Sequence, residues 1–201
     1  RALLTLALAA LVADSVAARA MGRVPIGGEL SLRVPWATSR LDPHDLFDPL
    51  AAIFGAAVAD PVYARDPRGQ VYPTLAEGMP AVEGDQTVVR LRAGLRSAQG
   101  KTLGGRDLAW SVTRARKMGA SGLLAPLGPW VRSDPDQPLL ARFGAVEPAK
   151  LALLLTSPLT ALLPLGFKPT EPDGSGAFLA RCSAGQLELT RNRHAARGPS
   201  F

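Results

Sequence analysis

Residues 87–112 read TVVRLRAGLRSAQGKTLGGRDLAWSV. Their first six residues set Val89 and Leu91 on one side and Arg90 and Arg92 on the other, the two-residue period of a strand with one buried and one solvated face. The next thirteen are broken by glycine, at Gly94 and Gly100, and end in the pair Gly104-Gly105. From Arg106 the period changes: Leu108, Val112 and Ala115 recur at helical spacing, which predicts a helix over Arg106–Met118. The glycines between are read as a hairpin end and a helix start. Strand, glycine turn and helix in so short a stretch point to a chain that mixes both element types.

Outward from there, local turn chemistry marks the elements. Toward the amino terminus Glu29–Trp36 (ELSLRVPW) alternates and predicts a half-buried strand. Leu41-Asp42-Pro43-His44 reads as a turn. Asp48-Pro49 reads as an N-cap with proline at the first helical position, opening a helix whose stripe is Leu50, Ile53, Phe54, Ala57 and Val58, and Asp60-Pro61 ends it. Asp66-Pro67-Arg68-Gly69 joins Val62–Ala64 to Gln70–Tyr72 as a hairpin. A helical turn is expected at Thr74–Gly78, then a second hairpin of Ala81-Val82 and Thr87–Arg92 through Glu83-Gly84-Asp85. Toward the carboxyl terminus, residues 119–149 read as loop with one short helix. The continuous apolar run Lys150–Thr156 reads as a buried strand, and Ser157-Pro158 opens a short helix through Leu163. Ala177–Cys182 and Gln186–Asn192 form a last hairpin. The order predicts an α+β or mixed α/β fold.

Composition narrows the class. The chain has 201 residues, 47% hydrophobic, 20% charged and 5% aromatic, with 20 Gly and 18 Pro. That is too much Gly and Pro for a helical bundle and too apolar for a disordered chain. No apolar run reaches the ~18–20 residues of a membrane-spanning helix, so stable membrane insertion is not expected. One cysteine, Cys182, excludes an internal disulfide and a cysteine-built metal site. Its place beside Phe178 and Ala180 reads as a small buried residue.

The net charge of +6 comes from 19 Arg and only 4 Lys against 17 acids. The basic stretch from Arg90 to Lys117 reads as the solvated face of strand and helix, with too few aromatics nearby for a base-stacking platform. No nucleic-acid partner is expected. Arg1, the twelve uncharged residues Ala2–Ala13 and the small-residue end Ala18-Arg19-Ala20 have the pattern of a secretory signal over residues 1–20, with cleavage after Ala20.

Catalytic constellations are not legible. There is no G-x-S-x-G, and the Gly100–Gly105 cluster lacks the spacing of a phosphate loop. Gly174-Ser175-Gly176 reads as flexible turn material. His44 lies among Asp42, Asp45 and Asp48, but the spacing follows no ligand frame, and Asp42 and Asp48 have turn and cap roles. No metal, cofactor or enzymatic activity is expected.

The order of several short segments resembles the extracellular solute-binding proteins of family 5, the oligopeptide/dipeptide-binding type. Gly28-Glu29-Leu30 with Leu41-Asp42-Pro43-His44 is similar to the family's opening, and Pro73-Thr74-Leu75-Ala76-Glu77 to its P-x-L-A-E segment. Thr87–Leu95 resembles its T-x-x-F-x-L-R-x-G-V strand. Gly100-Lys101-Thr102-Leu103 followed by Asp107–Ser111 resembles D-G-x-P-(L/V)-T-A-x-D-V-x-x-S. Gly174–Phe178 is similar to G-T-G-P-Y and Leu189–Asn192 to L-x-R-N. The pieces span residues 28–192 in the family's order. Departures are Gln99 where the family has the aspartate of D-G, and Gly104-Gly105 in place of T-A.

The resemblance implies a periplasmic-binding-protein type II-like first lobe over residues 21–201, with the second lobe absent. It implies a periplasmic substrate-binding component of an ABC-type importer that captures peptides or similar small solutes and docks on an ABC permease. The family's cleft borders the stretch after L-D-P-H and part of the segment after the D-V-x-x-S helix. Carried over, these positions are Phe47, Asp48 and Pro49, and, from Leu124–Trp130, Trp130 as an apolar wall. The alternative is an exported structural or partner-binding domain of the same descent that binds no solute.

Overall fold

The structure is a computed structural model and describes residues 29–183 and 185–197. The secretory-signal reading of residues 1–20 lies outside the described residues. Contacts divide the described residues into two units, residues 29–34 and residues 35–197. In the first, the described residues 29–34 carry no regular element, and Leu30 and Leu32 are exposed. The strand expected over Glu29–Trp36 is therefore not formed. Alternation supplies only a face, and a strand also needs a neighbour's backbone groups, which none of the described strands offers it.

The second unit is built on a four-stranded antiparallel sheet of order β3-β4-β6-β5, comprising β3 Ala81–Glu83, β4 Gln86–Arg90, β5 Val131–Ser133 and β6 Leu140–Phe143. The predicted hairpin β3–β4 turns at Gly84, whose φ of +63° suits glycine. Thr87, Val88 and Val89 are all buried, so β4 is covered on both faces. Arg90 lies on the exposed side, as alternation predicts, but Arg92 does not: its half-buried guanidinium donates to the Thr74 and Ala196 carbonyls.

Helix α2 (Gly105–Ala115) packs on β5 and β6 through Leu108, Val112 and Ala115, each wholly buried. A Cβ at Gly105 would stand 2.0 Å from the Leu140 carbonyl oxygen, so glycine here is required by close backbone approach rather than by turn geometry. The helix stops earlier than Met118, passing into a π-turn over Arg116–Ala120 that Gly119 closes at φ +105°.

Four expectations fail around this core. Residues 119–149 carry β5 and β6, which the reading as loop with one short helix missed, besides a 3₁₀ turn at Ala125–Leu127. Lys150–Thr156 is not a strand: α3 covers Pro148–Leu154, and the Glu147 carboxylate caps it by accepting from the Ala149 and Lys150 amides. A short apolar run does not distinguish strand from helix, whereas the cap and Pro148 do. Thr74–Gly78 forms bends with one bridge, Ala76 to Leu91, instead of a helical turn. The Ser157-Pro158 helix is a single 3₁₀ turn ending at Thr160.

Two hairpins and a helix complete the unit. The pair β1 (Tyr63–Arg65) and β2 (Val71–Pro73) closes at Gly69, with Asp66 Oδ1 accepting from the Arg68 and Gln70 amides. The pair β7 (Phe178–Ser183) and β8 (Gln186–Arg191) is the predicted last hairpin. Helix α1 (Pro49–Val58) starts as expected, but Ile53 is exposed and Gly55 is buried. Gly174-Ser175-Gly176 is no flexible turn. A Cβ on Gly174 or Gly176 would lie 2.2 or 2.6 Å from the Val58 carbonyl group, and buried Ser175 Oγ accepts from the Asp60 amide and donates to the Leu162 carbonyl. These residues seal the carboxyl end of α1 against the fold.

Candidate functional site

The segment between residues 41 and 49 changes character halfway. Its first part is sunk: Leu41, Asp42 and His44 are 0, 2 and 0% exposed. The Leu41 amide donates to the Pro169 carbonyl at 2.8 Å. The Asp42 carboxylate takes both terminal nitrogens of Arg114 on α2, at 2.9 and 2.5 Å, and accepts the His44 amide at 3.1 Å. Arg114 lies over the rings of Trp110 and Phe167, 5.7 and 5.2 Å from their centroids. Pairing of this quality is what lets a buried ion pair persist.

His44 Nε2 lies 3.0 Å from the Ala161 carbonyl oxygen. A carbonyl only accepts, so the proton sits on Nε2. Nδ1 is buried without a partner among the described residues. Burial lowers the His44 pKa to about 4, helped by the Arg114 charge and opposed by the Ala161 hydrogen bond and by Asp42. His44 is thus a neutral anchor. Among the described residues no group of three or more His, Cys, Asp or Glu side chains could hold a metal. Asp42 is taken up by Arg114, and the ring nitrogen that carries the proton faces Ala161.

The second half stands out into solvent. Asp45 Oδ1 accepts the Phe47 amide at 3.0 Å, while Oδ2 pairs with Arg40 at 2.7 Å. Asp48 Oδ1 accepts the Leu50 amide at 2.9 Å and caps α1, whose first residue is Pro49. Local hydrogen bonds thus shape this turn, and the Phe47 ring on it is 87% exposed. Trp36, Arg40, Asp45, Phe47, Asp48 and Pro49 border a recess of about 390 Å³. Its walls offer two aromatic rings, carboxylate acceptors and one guanidinium. They supply contact surface and hydrogen bonding but no nucleophile with an adjacent base. Nearby Cys182 is half-buried rather than wholly buried, and burial, then the Asp48 charge, pushes its thiol pKa up, which keeps it protonated.

Phe47, Asp48 and Pro49 are brought together by the structure, and Trp36, a residue that sequence reading did not single out, joins them. The signal for Trp36 was masked by its place in an apparent strand. Trp130 does not border this recess. It is half-buried just before β5, with Gly144 against its indole and the Arg132 guanidinium 5.1 Å from its ring centroid. Arg116 donates to the Leu124, Gly128 and Pro129 carbonyls and so fixes the loop that leads to it. A second, more apolar recess of about 710 Å³ lies among Pro61, Leu123, Leu153, Leu154 and Leu159. Nothing in the sequence announced it, because its walls come from three separate segments.

No protein-family model matches the chain, and no curated protein matches it. Solved structures do. The chain is similar to a nickel ABC transporter protein from Bacillus halodurans, with 22% identity and a TM-score of 0.66, over 82% of this chain and 35% of that one. It is similar to NikA from Staphylococcus aureus in complex with Ni(L-His)2, with 14% identity and a TM-score of 0.64, over 83% and 36%. It is also similar to Listeria monocytogenes OppA bound to peptide, with 15% identity and a TM-score of 0.62, over 76% and 36%. The chain spans about a third of the length of each. Among the described residues no helix is long and apolar enough to cross a membrane. The neighbours are the solute-binding proteins that the sequence motifs resemble, and this chain has the α+β fold of about one third of such an ABC-transporter substrate-binding protein.

Proposed function

We propose that this chain serves as part of the substrate-binding component of an ABC-type importer, capturing a peptide or similar small solute on the periplasmic side and delivering it to a permease. Residues 1–20 act as its export signal, with cleavage after Ala20. The reading needs no cofactor and no catalysis: binding buries apolar surface and satisfies a few polar groups. Phe47, Asp48 and Pro49 form the wall that meets the solute, with Trp36 beside them.

The observation that carries this is the Phe47 ring, 87% exposed at the edge of a recess on a backbone that the Asp45 turn and the Asp48 cap hold. A large aromatic side chain has only two torsions to lose when it is covered, which favours its use as a contact residue. Trp130 belongs to the same proposal as a separate apolar wall. Its half-buried indole and neighbouring Arg132 are compatible with a stacking surface.

Titration of the purified chain with a di- and tripeptide mixture, followed by native mass spectrometry, tests the reading. A bound peptide mass in wild type, lost or weakened at least about tenfold in Phe47→Ala, is the expected result. Trp130→Ala examines the second wall in the same assay. A bare protein mass at every peptide concentration would move the assignment to an exported structural or partner-binding domain.

A further inference from the structure

His44 is buried, titratable and unused by solute capture as such, yet it stands at the junction between the sunk and the presented halves of the 41–49 segment. Its Nε2–H donates to the Ala161 carbonyl, in the segment after the Pro158–Thr160 turn. Its own amide is held by Asp42. Pro43 lies against Gly55 of α1, where a Cβ would come within 3.5 Å of the Pro43 Cα. The next residue, Asp45, begins the turn that sets Phe47. One face of the imidazole is thus tied to a distant segment while its backbone continues directly into the recess wall.

The other ring nitrogen decides what acid does. Nδ1 has no partner among the described residues. Two charged groups act on the ring: Asp42 from its own turn and Arg114 from α2, and these are already spent on each other in a bidentate pair. A proton taken up from solvent at Nδ1 would add a positive charge and a donor with no acceptor to receive it, beside a guanidinium. Such a state is relieved by withdrawing the ring toward water.

We propose that neutral His44 is the positioning residue of the recess, pinning the Asp45–Pro49 turn through Ala161, and that protonation of Nδ1 releases that turn and loosens the recess in acid. The consequence for binding rests on the recess being the solute site; the pin itself does not. The lowered pKa of His44, about 4, agrees with the pinned form being the neutral one. Because the ring is basic again once withdrawn, with an ordinary value near ~6.5, opening of the turn is favoured progressively as pH falls from 6.5 toward 4.

The test needs no ligand. In wild type, nuclear magnetic resonance should show the His44 ring titrating near 4, with the amide signals of Asp45, Phe47 and Leu50 moving at the same midpoint. Hydrogen exchange at the Asp45 and Phe47 amides, corrected for the intrinsic rate, should report an opening constant that rises on the order of 100-fold between pH 7 and pH 4. His44→Gln keeps a donor toward Ala161 and cannot titrate, so the rise should vanish while the pH 7 spectrum of the turn is retained. A His44 midpoint near 6.5, or amides that move alike in wild type and His44→Gln, would overturn the pin and assign the change to the Asp45 and Asp48 carboxylates. Should the variant fail to fold, the wild-type midpoints alone decide, since amides that move apart from the ring contradict the proposal. Failure of peptides to bind would remove the function proposed above and leave this experiment's outcome untouched.

Discussion

Leu41–His44 and Asp45–Pro49 are neighbours in one short segment, and the fold treats them in opposite ways. The first has its side chains sealed in the unit, with an ion pair and a neutral imidazole held by partners far along the chain, Arg114 and Ala161. The second has only short-range side-chain bonds of its own, those of Asp45 and Asp48 reaching no more than five positions away, and is tied to the distant fold through the first. The result is an aromatic ring in water on a backbone that does not need the ring's burial to keep its shape. Separation of anchor from presenter is what a binding surface requires, because a contact residue that also supported the fold could not be optimised for a ligand without loss of stability.

The contrast breaks most visibly at Asp42. Asp42→Asn leaves Arg114, only 15% exposed, without its carboxylate, and should cost about 3–5 kcal/mol. In a chain of this length that lowers the melting temperature by about 10 °C. A loss of a degree or two would mean that the sunk half is no more structural than the presented one.

His44 comes next. Its pKa is lowered in the folded state, to about 4 from an ordinary 6.5, so the unfolded chain takes the proton first. Stability is fully present above pH 6.5 and falls as the pH drops from 6.5 to 4, by about 3 kcal/mol. Urea midpoints at pH 7 and pH 4.5 for wild type and His44→Gln measure this. An equal drop in both proteins assigns the acid sensitivity elsewhere.

At Asp48 the effect is smaller and chemically selective. Asp48→Ala should cost about 1 kcal/mol through loss of the α1 cap, and Asp48→Asn, which still accepts from the Leu50 amide, only a few tenths. Equal costs for the two would show that charge rather than capping matters there. Smallest of all for stability is Phe47→Ala, expected to change it by less than about 0.5 kcal/mol. If Phe47→Ala destabilises as much as a core truncation, the ring is structural and the division between the two halves fails.

The elements that were legible are those whose reason is local. Asp48-Pro49 announces the start of α1, and Asp66–Gly69 announces its hairpin, because the side chain that caps or closes sits within a few residues of the amide it binds. Phe47, Asp48 and Pro49 as candidate wall residues came from the resemblance to the family, and local chemistry announced only the Asp48 cap and Pro49 among them. Trp36 was not legible, because alternation in Glu29–Trp36 suggested a strand for which the described residues provide no pairing partner. Trp130 was given as an apolar wall within a stretch read as loop, and only the packing of Gly144 and Arg132 reveals its half-buried setting. Glu147-Pro148 carries the cap of α3, but the reading left residues 119–149 as loop and took the apolar run after them as a strand.

By itself the sequence determined the mixture of hairpins and short capped helices, the face of α2 that is buried, and the order of motifs that resembles the family. Those properties follow from side-chain period and from bonds that close within a turn. Tertiary structure decided that β6 pairs with β4 and β5, why Gly105, Gly174 and Gly176 must be glycine, that Asp42 belongs to Arg114, and that His44 is a neutral anchor rather than a member of an acidic cluster. Each of these depends on a partner brought from far along the chain, 72 residues away for Arg114 and 117 for Ala161. Burial then sets the energy of the contact, because a charge or a bare nitrogen costs little in water and much where no solvent reaches it.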